Sequence, residues 1–557
     1  MLAILGGLIS ACAAGPDLPR RHMISSANPL ASEAGREMLR AGGSAVDAAI
    51  AAQMVLTLVE PQSSGIGGGA FLMHFRKADR KVEAYDGRET APSTIQPNVF
   101  LTADGKRRSF RDVSTGGAAV GVPGVIRMLA MAHRDHGRLP WNRLFEPAIT
   151  YAENGFAVSP RLSKMISRAK DMKNFPAARA YFYTAAGDPL AVGHRLRNPG
   201  FAFTLRRIAR EGAAAFYGGE IAADIAEAVQ NAVRNPAEMT VADIVNYRAK
   251  KRIPVCAAYR TYRLCGMPPP TSGGLTTLQI LGLLENFDIA GLRPGSLNTI
   301  HLISEASRLA YADRSQYIGD PDFVSVPVKG MLDRAYLRRR AGRITTTESM
   351  GKALPGRPPG AGKTQYAPDK RHGLPSTSHL SVIDRDGNAV SMTMSIERAF
   401  GSRLMVRGFL LNNQLTDFAY MPRRNGRLVA NAVAPGKRPR SSMSPMLVFD
   451  KYGELFATVG SPGGSRIIAY VAKTLIGLLD WNLDMQAAID LPTHVNRNGA
   501  TEIEKGTDLE KWADDLRRLG HDVRIRALTS GLHGIRVTAR GYDGGADKRR
   551  EGLALGD

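Results

Sequence analysis

The residues best equipped for chemistry lie in the run Pro375-Ser376-Thr377-Ser378-His379-Leu380-Ser381-Val382. A threonine hydroxyl is a poor nucleophile until a base takes its proton. A free α-amine titrates at about 7.7–8, so near neutral pH it can be that base. A cut between Ser376 and Thr377 would put both groups on one residue. Left uncut, Ser376-Thr377-Ser378 is a polar loop entering a strand. These residues alone do not choose between the two readings.

The flanking pattern says what must position them. Residues 379–383 alternate as a strand does, Asp386-Gly387-Asn388 is a hairpin turn signal, and 390–396 alternate again. A tight hairpin returns Ser395 opposite Thr377, which predicts a second hydroxyl beside the first. Further strands are predicted at 408–411, 446–449 and 455–459. A helix is predicted over 467–481, entered through Gly460-Ser461-Pro462-Gly463-Gly464-Ser465-Arg466. Upstream, 345–376 is dominated by Gly, Pro and Lys with no period, the composition of a mobile segment.

Two glycine-rich stretches imitate nucleotide sites. Gly356 to Gly362-Lys363-Thr364 is one residue too long for a phosphate-binding loop, contains two prolines and follows no strand. Gly65-x-Gly67-x-x-Ala70 follows a helical pattern and precedes a strand at 71–75, the reverse of the dinucleotide fingerprint. It reads as a tight backbone turn. The helical pattern runs over 32–58 with a break at Gly42-Gly43, and its second half is apolar all round, as a buried helix is. Residues 120–345 read mostly helical, with clear periodicity near 275–286 and 298–313.

A length of 557 residues predicts two to four domains, and 44% hydrophobic with 22% charged residues is a globular composition. No apolar run after the N-terminus is long enough for a membrane span. The net charge is +23, but Lys and Arg are dispersed, with knots only at Arg338-Arg339-Arg340 and Lys548-Arg549-Arg550. Without a recognisable module, no nucleic-acid partner is expected. No cluster has metal-ligand spacing, so neither metal nor cofactor is expected. Cys256 and Cys265 flank a hairpin-like stretch turning at Arg260-Thr261, and only geometry can decide whether they bond. Met1 to Ala14 resembles a secretory signal without its positive region, and Ile9-Ser10-Ala11-Cys12 resembles a lipobox in which Cys12 is acylated. Both point to a periplasmic or envelope-attached protein.

Separate segments then point one way. They include Gly42 to Ala49, Pro61 to Gly69, Arg88-Glu89-Thr90-Ala91-Pro92, Met267 to Gly274 and Tyr311-Ala312-Asp313-Arg314. Ser376 to His379, Leu411 to Gln414, Pro439 to Pro445 and Gly460 to Arg466 complete the set. In this order they resemble the γ-glutamyltransferases, or glutathione hydrolases, of the N-terminal-nucleophile superfamily. The resemblance implies an α+β fold, a four-layer αββα sandwich. It implies self-cleavage before Thr377 into a large part, 22–376, and a small part, 377–557, which stay together as a heterodimer. Residues 1–21 would be the leader and 345–376 the mobile approach to the cut. The donor would be glutathione or another γ-glutamyl compound, and the acceptor water, an amino acid or a peptide.

Roles follow by position. Thr377 would be the nucleophile, supported by Ser395 where the family usually has threonine. Gly463 and Gly464 would form the oxyanion hole. Arg88, Ser441 and Ser442 would grip the donor α-carboxylate, while Gln414 and Asp417 accept from its ammonium group. His379 follows the family pattern but stands outside the catalytic set. Two features depart from the family. Glu397 replaces an asparagine near the substrate amine. The stretch 417–439 is short for a lid and has no aromatic after Tyr420. Two alternatives therefore stay open: an acylase for dicarboxylic side chains such as glutaryl, related to cephalosporin acylases, and an uncleaved lipoprotein with a binding role.

Overall fold

The computed structural model describes residues 21–362, 366–369 and 376–557. Cys12 with its lipobox-like run, and Lys363-Thr364 of the phosphate-loop imitation, lie outside these. In chain order the strands of the two large sheets are β1 (Met23–Ser26), β2 (Gly69–Arg76), β3 (Lys81–Gly87), β4 (Lys250–Arg252), β5 (Val255–Tyr259), β6 (Tyr262–Gly266), β7 (Ser378–Ile383), β8 (Ala389–Ser395), β9 (Met446–Phe449), β10 (Leu455–Gly460), β11 (His533–Thr538), β12 (Gly541–Ala546) and β13 (Leu553–Gly556). The first sheet runs β13-β1-β7-β8-β2-β3-β4 and the second β12-β11-β10-β9-β6-β5.

Strand periodicity builds the layers. In β2, Phe71, Met73 and Phe75 face the second sheet, where the Phe75 ring meets Phe449 edge-on at 4.9 Å. The alternate residues Ala70 and Leu72 join the helix side. Helices α1 (Pro29–Arg40), α2 (Ala45–Val59) and α3 (Val125–His136) cover that outer face. Every residue of α2 is buried, as its nearly all-apolar sequence predicts, with Asp47, Gln53 and Thr57 buried too, and a Ser44–Asp47 capping box starts it. On the second sheet lie α4 (Gly273–Leu284) and α6 (Ile467–Leu479), with α5 (Leu297–Tyr317) packed on α4. The result is the αββα sandwich. Both sheets draw strands from both halves of the chain, so it does not divide into the separate domains that its length predicts.

Several expectations gain geometry. Asp384 Oδ1 accepts from the N–H groups of Asp386 and Asn388, fixing the β7–β8 turn so that Ala389 pairs with Ile383. Cys256 and Cys265 face each other across β5 and β6 and form a disulfide. Among its described residues the Gly/Pro/Lys-rich stretch contains no helix and no strand beyond an isolated bridge at Ala367. As far as Gly362, however, it is tied to its surroundings: Ala353 exchanges two hydrogen bonds with Asn498, and the Gly356 N–H donates to Asp313 at 2.7 Å. Among the described residues no helix is long and apolar enough to cross a membrane.

Between the sheets, the fully buried His379 bonds Thr393 Oγ1 through Nδ1 at 2.8 Å and Ser381 Oγ through Nε2 at 3.2 Å. Burial holds its pKa well below the usual imidazole value. Gly460 on β10 leaves room for this ring, since a Cβ there would lie 2.2 Å from His379 Cε1. Gly460→Ala should therefore destabilise the protein by about 1–3 kcal/mol through overpacking. The loss should shrink in a His379→Ala background, read as the difference in thermal midpoints across the double-mutant cycle.

Candidate active site

Strand β7 begins at Ser378, so Thr377 sits at its entry. Strand β8 ends at Ser395, directly across the ladder, because Met394 pairs with Ser378. The Thr377 hydroxyl donates to Ser395 Oγ at 3.2 Å and also contacts the carbonyl oxygen of Ser376. Ser395 Oγ accepts from the Glu397 N–H at 2.9 Å. That bond needs Glu397 at φ 74°, a left-handed conformation uncommon for a residue with a Cβ. On either side of the Ser376–Thr377 bond the chain is held. Ser376 Oγ donates to the Gln62 carbonyl at 2.6 Å, and Arg550 Nη1 donates to the Thr377 carbonyl at 2.9 Å. The glycine run before β2 turns as expected, the Gly68 N–H donating to the Gly65 carbonyl at 3.1 Å, and it also allows close approach: a Cβ on Gly68 would lie 2.2 Å from the Ser395 carbonyl.

A cavity opens on Thr377. Its walls include Ser376, Ser395, Glu397, Gln414, Asp417, Ser441, Ser442 and Gly464, so most of the residues singled out in the sequence converge. Gly463 and Gly464 form the turn into α6 with φ 137° and 59°. A Cβ on Gly463 would strike the Tyr470 ring at 2.6 Å. Neither N–H is taken up by another described residue, so both are available to an oxyanion. Gln414 Nε2 donates to Asp417 Oδ2 at 3.2 Å, leaving its buried Oε1 without a donor. That oxygen and the Asp417 carboxylate are acceptors suited to an ammonium group. Tyr420 is buried against Phe100, their rings stacked at 4.5 Å, and is not part of the cavity wall.

One placement differs from expectation. Arg88 is fully buried and is not a wall residue. Its Nη2 donates to Asp417 Oδ2 at 2.7 Å and its Nε to the Pro439 carbonyl at 3.0 Å. It sits behind Asp417 and holds that carboxylate in place. The guanidinium groups on the wall are Arg314 and Arg440. Arg440 pairs with Asp369 at 2.7 Å. Among the described residues the hydrogen-bond partners of the Arg314 side chain are two hydroxyls, Ser272 Oγ at 2.7 Å and Ser442 Oγ at 2.8 Å, and its guanidinium lies over the Tyr311 ring at 5.6 Å. Burial, reinforced by the Arg440 charge, lowers it to about 9. Arg314 was in view only as part of the Tyr311-Ala312-Asp313-Arg314 match, and no local signal marked its role.

Two histidine–glutamate trios also come within ligating range, from residues whose spacing concealed it: His74, Glu83 and His136, and His301, Glu305 and His521. Neither borders the cavity at Thr377. Protein partners already engage both. Glu83 pairs with Lys81, Lys251 and His136, while His301 bonds His521 at 2.8 Å and Glu305 bonds Arg308 at 2.7 Å.

Glu89, beside Arg88, is fully buried, and burial pushes its carboxyl up to about 8 against the opposing pull of Arg88. Between about pH 4.5 and 8 the folded protein therefore holds a proton that the unfolded chain has released. Stability falls as pH rises through that window, by about 1.4 kcal/mol per pH unit. Glu89→Gln should flatten the decline of thermal midpoint between pH 5.5 and 8.

Comparison with known proteins agrees with this geometry. The γ-glutamyltranspeptidase family profile matches residues 31–556. The chain is 35% identical to a glutathione hydrolase proenzyme of Bacillus subtilis, over 97% of this chain and 92% of that one. It is 36% identical to the Escherichia coli glutathione hydrolase proenzyme, over 98% and 96%. The crystal structure of a cephalosporin acylase from Bacillus halodurans superposes with a TM-score of 0.85 at 28% identity, covering 100% of this chain and 99% of that one. With its hydroxyl pair at the head of a central strand, its glycine turn and its full-length match, the chain belongs to the γ-glutamyltranspeptidase family.

Proposed function

We propose that this protein is a self-processing γ-glutamyl hydrolase and transferase acting on glutathione or related γ-glutamyl amides. The observation that carries the reading is the Thr377 hydroxyl, set between the Ser376 carbonyl and Ser395 Oγ at the wall of a cavity rich in polar groups. In processing, Thr377 Oγ1 attacks the Ser376 carbonyl carbon. The peptide bond becomes an ester and the Thr377 nitrogen is freed. Water hydrolyses the ester, leaving 377–557 as a small subunit with a new amino terminus beside the large subunit, 22–376.

In turnover, that amine takes the Oγ1 proton as Oγ1 adds to the γ-carbonyl of the donor. The N–H groups of Gly463 and Gly464 receive the developing oxyanion. Collapse expels the leaving amine with the proton and leaves a γ-glutamyl ester on Thr377. Water, or the amine of an amino acid or peptide, then takes the acyl group. The donor is held as a zwitterion. Arg314, Ser441 and Ser442 take its carboxylate; Gln414, Asp417 and Glu397 take its ammonium, with Arg88 fixing Asp417. The extra carboxylate of Glu397 strengthens the demand for a cationic amine.

The apolar run before Ala14 and the lipobox-like Cys12 support export and attachment to the cell envelope. The Cys256–Cys265 disulfide agrees with an oxidising compartment. The resemblance to the cephalosporin acylase favours one competing reading, an acylase for glutaryl-type side chains. The donor's α-amine separates them, because an acylase has no use for three ammonium acceptors.

On a denaturing gel the wild type should give two shorter chains, and Thr377→Ala a single chain near 60.1 kDa. Processed protein should release glutamate from glutathione. An uncleaved wild type would sink the self-processing reading. Cleavage of a glutaryl amide with no glutamate from glutathione would establish the acylase instead. Arg314→Gln should process normally and raise KM for the γ-glutamyl donor by roughly 10- to 100-fold with a smaller change in kcat, as expected when a charge-assisted hydrogen bond to the ground state is lost. Steady-state kinetics decide it, and an unchanged KM would remove Arg314 from the carboxylate site.

A further inference from the structure

The stretch 417–439 carries a charged hairpin at the edge of the site. Strands Arg423–Arg424 and Arg427–Leu428 pair around Asn425-Gly426, whose φ angles of 47° and 74° suit a two-residue turn. The base of the hairpin is tied to a residue of the cavity wall. Asn431 Nδ2 donates to the Asp417 carbonyl at 2.8 Å, and the Ala419 N–H donates to the Asn431 carbonyl at 2.9 Å. The register sets Arg424 directly opposite Arg427. Like charges so placed destabilise a strand pair. Arg423 Nη1 donates to the Gly426 carbonyl at 3.1 Å, and among the described residues no carboxylate pairs with any of these three arginines.

More cations rest on the same support. Phe100, Tyr420 and, packed against them, Phe110 share one small apolar cluster with Leu415 and Phe418, which bracket Asp417. The Arg107 guanidinium lies over the Tyr420 ring at 5.2 Å. That of Arg398, the residue after Glu397 of the cavity wall, lies over the Phe110 ring at 5.6 Å. Arg111 is exposed one position after Phe110. The carboxylates of that segment are occupied: Asp104 pairs with Lys106 at 2.7 Å, and Asp112 accepts from the Ser109 hydroxyl. Among the described residues Arg107, Arg111 and Arg398 have no ion pair either.

A rim of one sign beside a cavity raises the local concentration of ligands of the other sign. Carboxylates repeated along a chain would meet these guanidinium groups in forked geometry. One placed between Arg424 and Arg427 would also remove their repulsion. Nucleobases find no stacking platform, since the paired rings Phe100 and Tyr420 are buried. We propose that this rim is a docking surface for acidic peptides, so that the preferred donors are γ-glutamyl amides whose leaving group carries several carboxylates beyond the bond to be cut. The docking half of the proposal stands on the rim alone, and the donor half rests on the γ-glutamyl reading above.

The test uses the full-length processed protein and two readouts. Binding of fluorescein-labelled hexa-aspartate is followed by anisotropy. Steady-state kcat/KM is compared for γ-glutamyl-tri-aspartate and γ-glutamyl-tri-alanine. Raising salt from about 20 to about 300 mM should weaken hexa-aspartate binding by about tenfold, because exposed charges are screened. The triple change Arg423→Ser, Arg424→Ser and Arg427→Ser should weaken it by about tenfold at low salt. An equal loss of charge at exposed positions away from the cavity, Arg338→Ser, Arg339→Ser and Arg343→Ser, should change it by less than about twofold. At low salt the wild type should favour the tri-aspartate tail by about tenfold in kcat/KM. The hairpin variant should lose that preference and keep its rate on the tri-alanine tail. Absence of saturable hexa-aspartate binding, or equal weakening by the two triple variants, would mean a generally basic protein and overturn the proposal. Tighter binding of a thymidine hexanucleotide than of hexa-aspartate would make the rim a nucleic-acid surface and overturn it too, as would equal kcat/KM for the two tails. Hexa-aspartate binding with neither tail released would instead overturn the γ-glutamyl reading, and the donor half with it, while the docking surface stood.

Discussion

The site depends on the hydrogen bonding of one strand. β7, which begins one residue after the Ser376–Thr377 bond proposed to be cut, pairs with β1 along one edge and β8 along the other. β1 precedes that bond in the chain and β8 follows it. The start of β7 is therefore fixed by ladders that do not run through the Ser376–Thr377 bond. Breaking that bond removes one covalent constraint from a residue already held by its neighbours and by Arg550. The same interleaving recurs in the second sheet, where β5 and β6 precede the cut and β9 to β12 follow it. Two chains made this way share both sheets and one pair of cores, and separating them would expose the interior of each.

Around that strand, charge is distributed so that each group has a different degree of freedom. Arg88 and Asp417 form a buried pair, which is weak evidence for stability because desolvation offsets the attraction. Its visible consequence is orientation: Asp417 cannot turn from the cavity without leaving a buried guanidinium behind. Glu89, protonated near neutral pH, does not compete for Arg88. Arg314 is the contrasting case, a buried cation whose hydrogen-bond partners among the described residues are hydroxyls. A zwitterion with its carboxylate toward Arg314 and its amine toward Asp417 would satisfy both ends at once.

Local features were legible where a period or a turn dictates them. The 379–396 hairpin follows from two-residue alternation and Asp386-Gly387-Asn388, and with it the approach of Ser395 to Thr377. Helix α2 follows from an apolar sequence that can only be buried. Legibility failed where tertiary packing decides. Arg314 lies in a 21-residue helix almost wholly buried, so nothing in its neighbours shows which face meets a cavity. Arg88 has the residue type to hold a carboxylate, and it does hold one, but that carboxylate is Asp417. The histidine–glutamate trios join residues up to 220 positions apart. Length suggested several domains because it says nothing about strands interleaving.

The cavity at Thr377 measures about 30 Å3, and Ser376 is one of its walls. A water needs about 10–15 Å3 of such space, so the uncut chain has room for little more than solvent. A γ-glutamyl group is far larger. In the uncut chain the Thr377 nitrogen is also an amide and cannot act as a base. On the proposed chemistry one bond cleavage removes both obstacles: it turns the amide into an amine and lets Ser376 withdraw from the wall. The two sides of the cut are not held equally. Thr377 is fixed by a strand and by Arg550, whereas among the described residues Ser376 has, besides the contact with Thr377, one hydrogen bond, from its Oγ to the Gln62 carbonyl. The side that stays is the side carrying the nucleophile, so vacating the pocket need not disturb the geometry that performs the reaction.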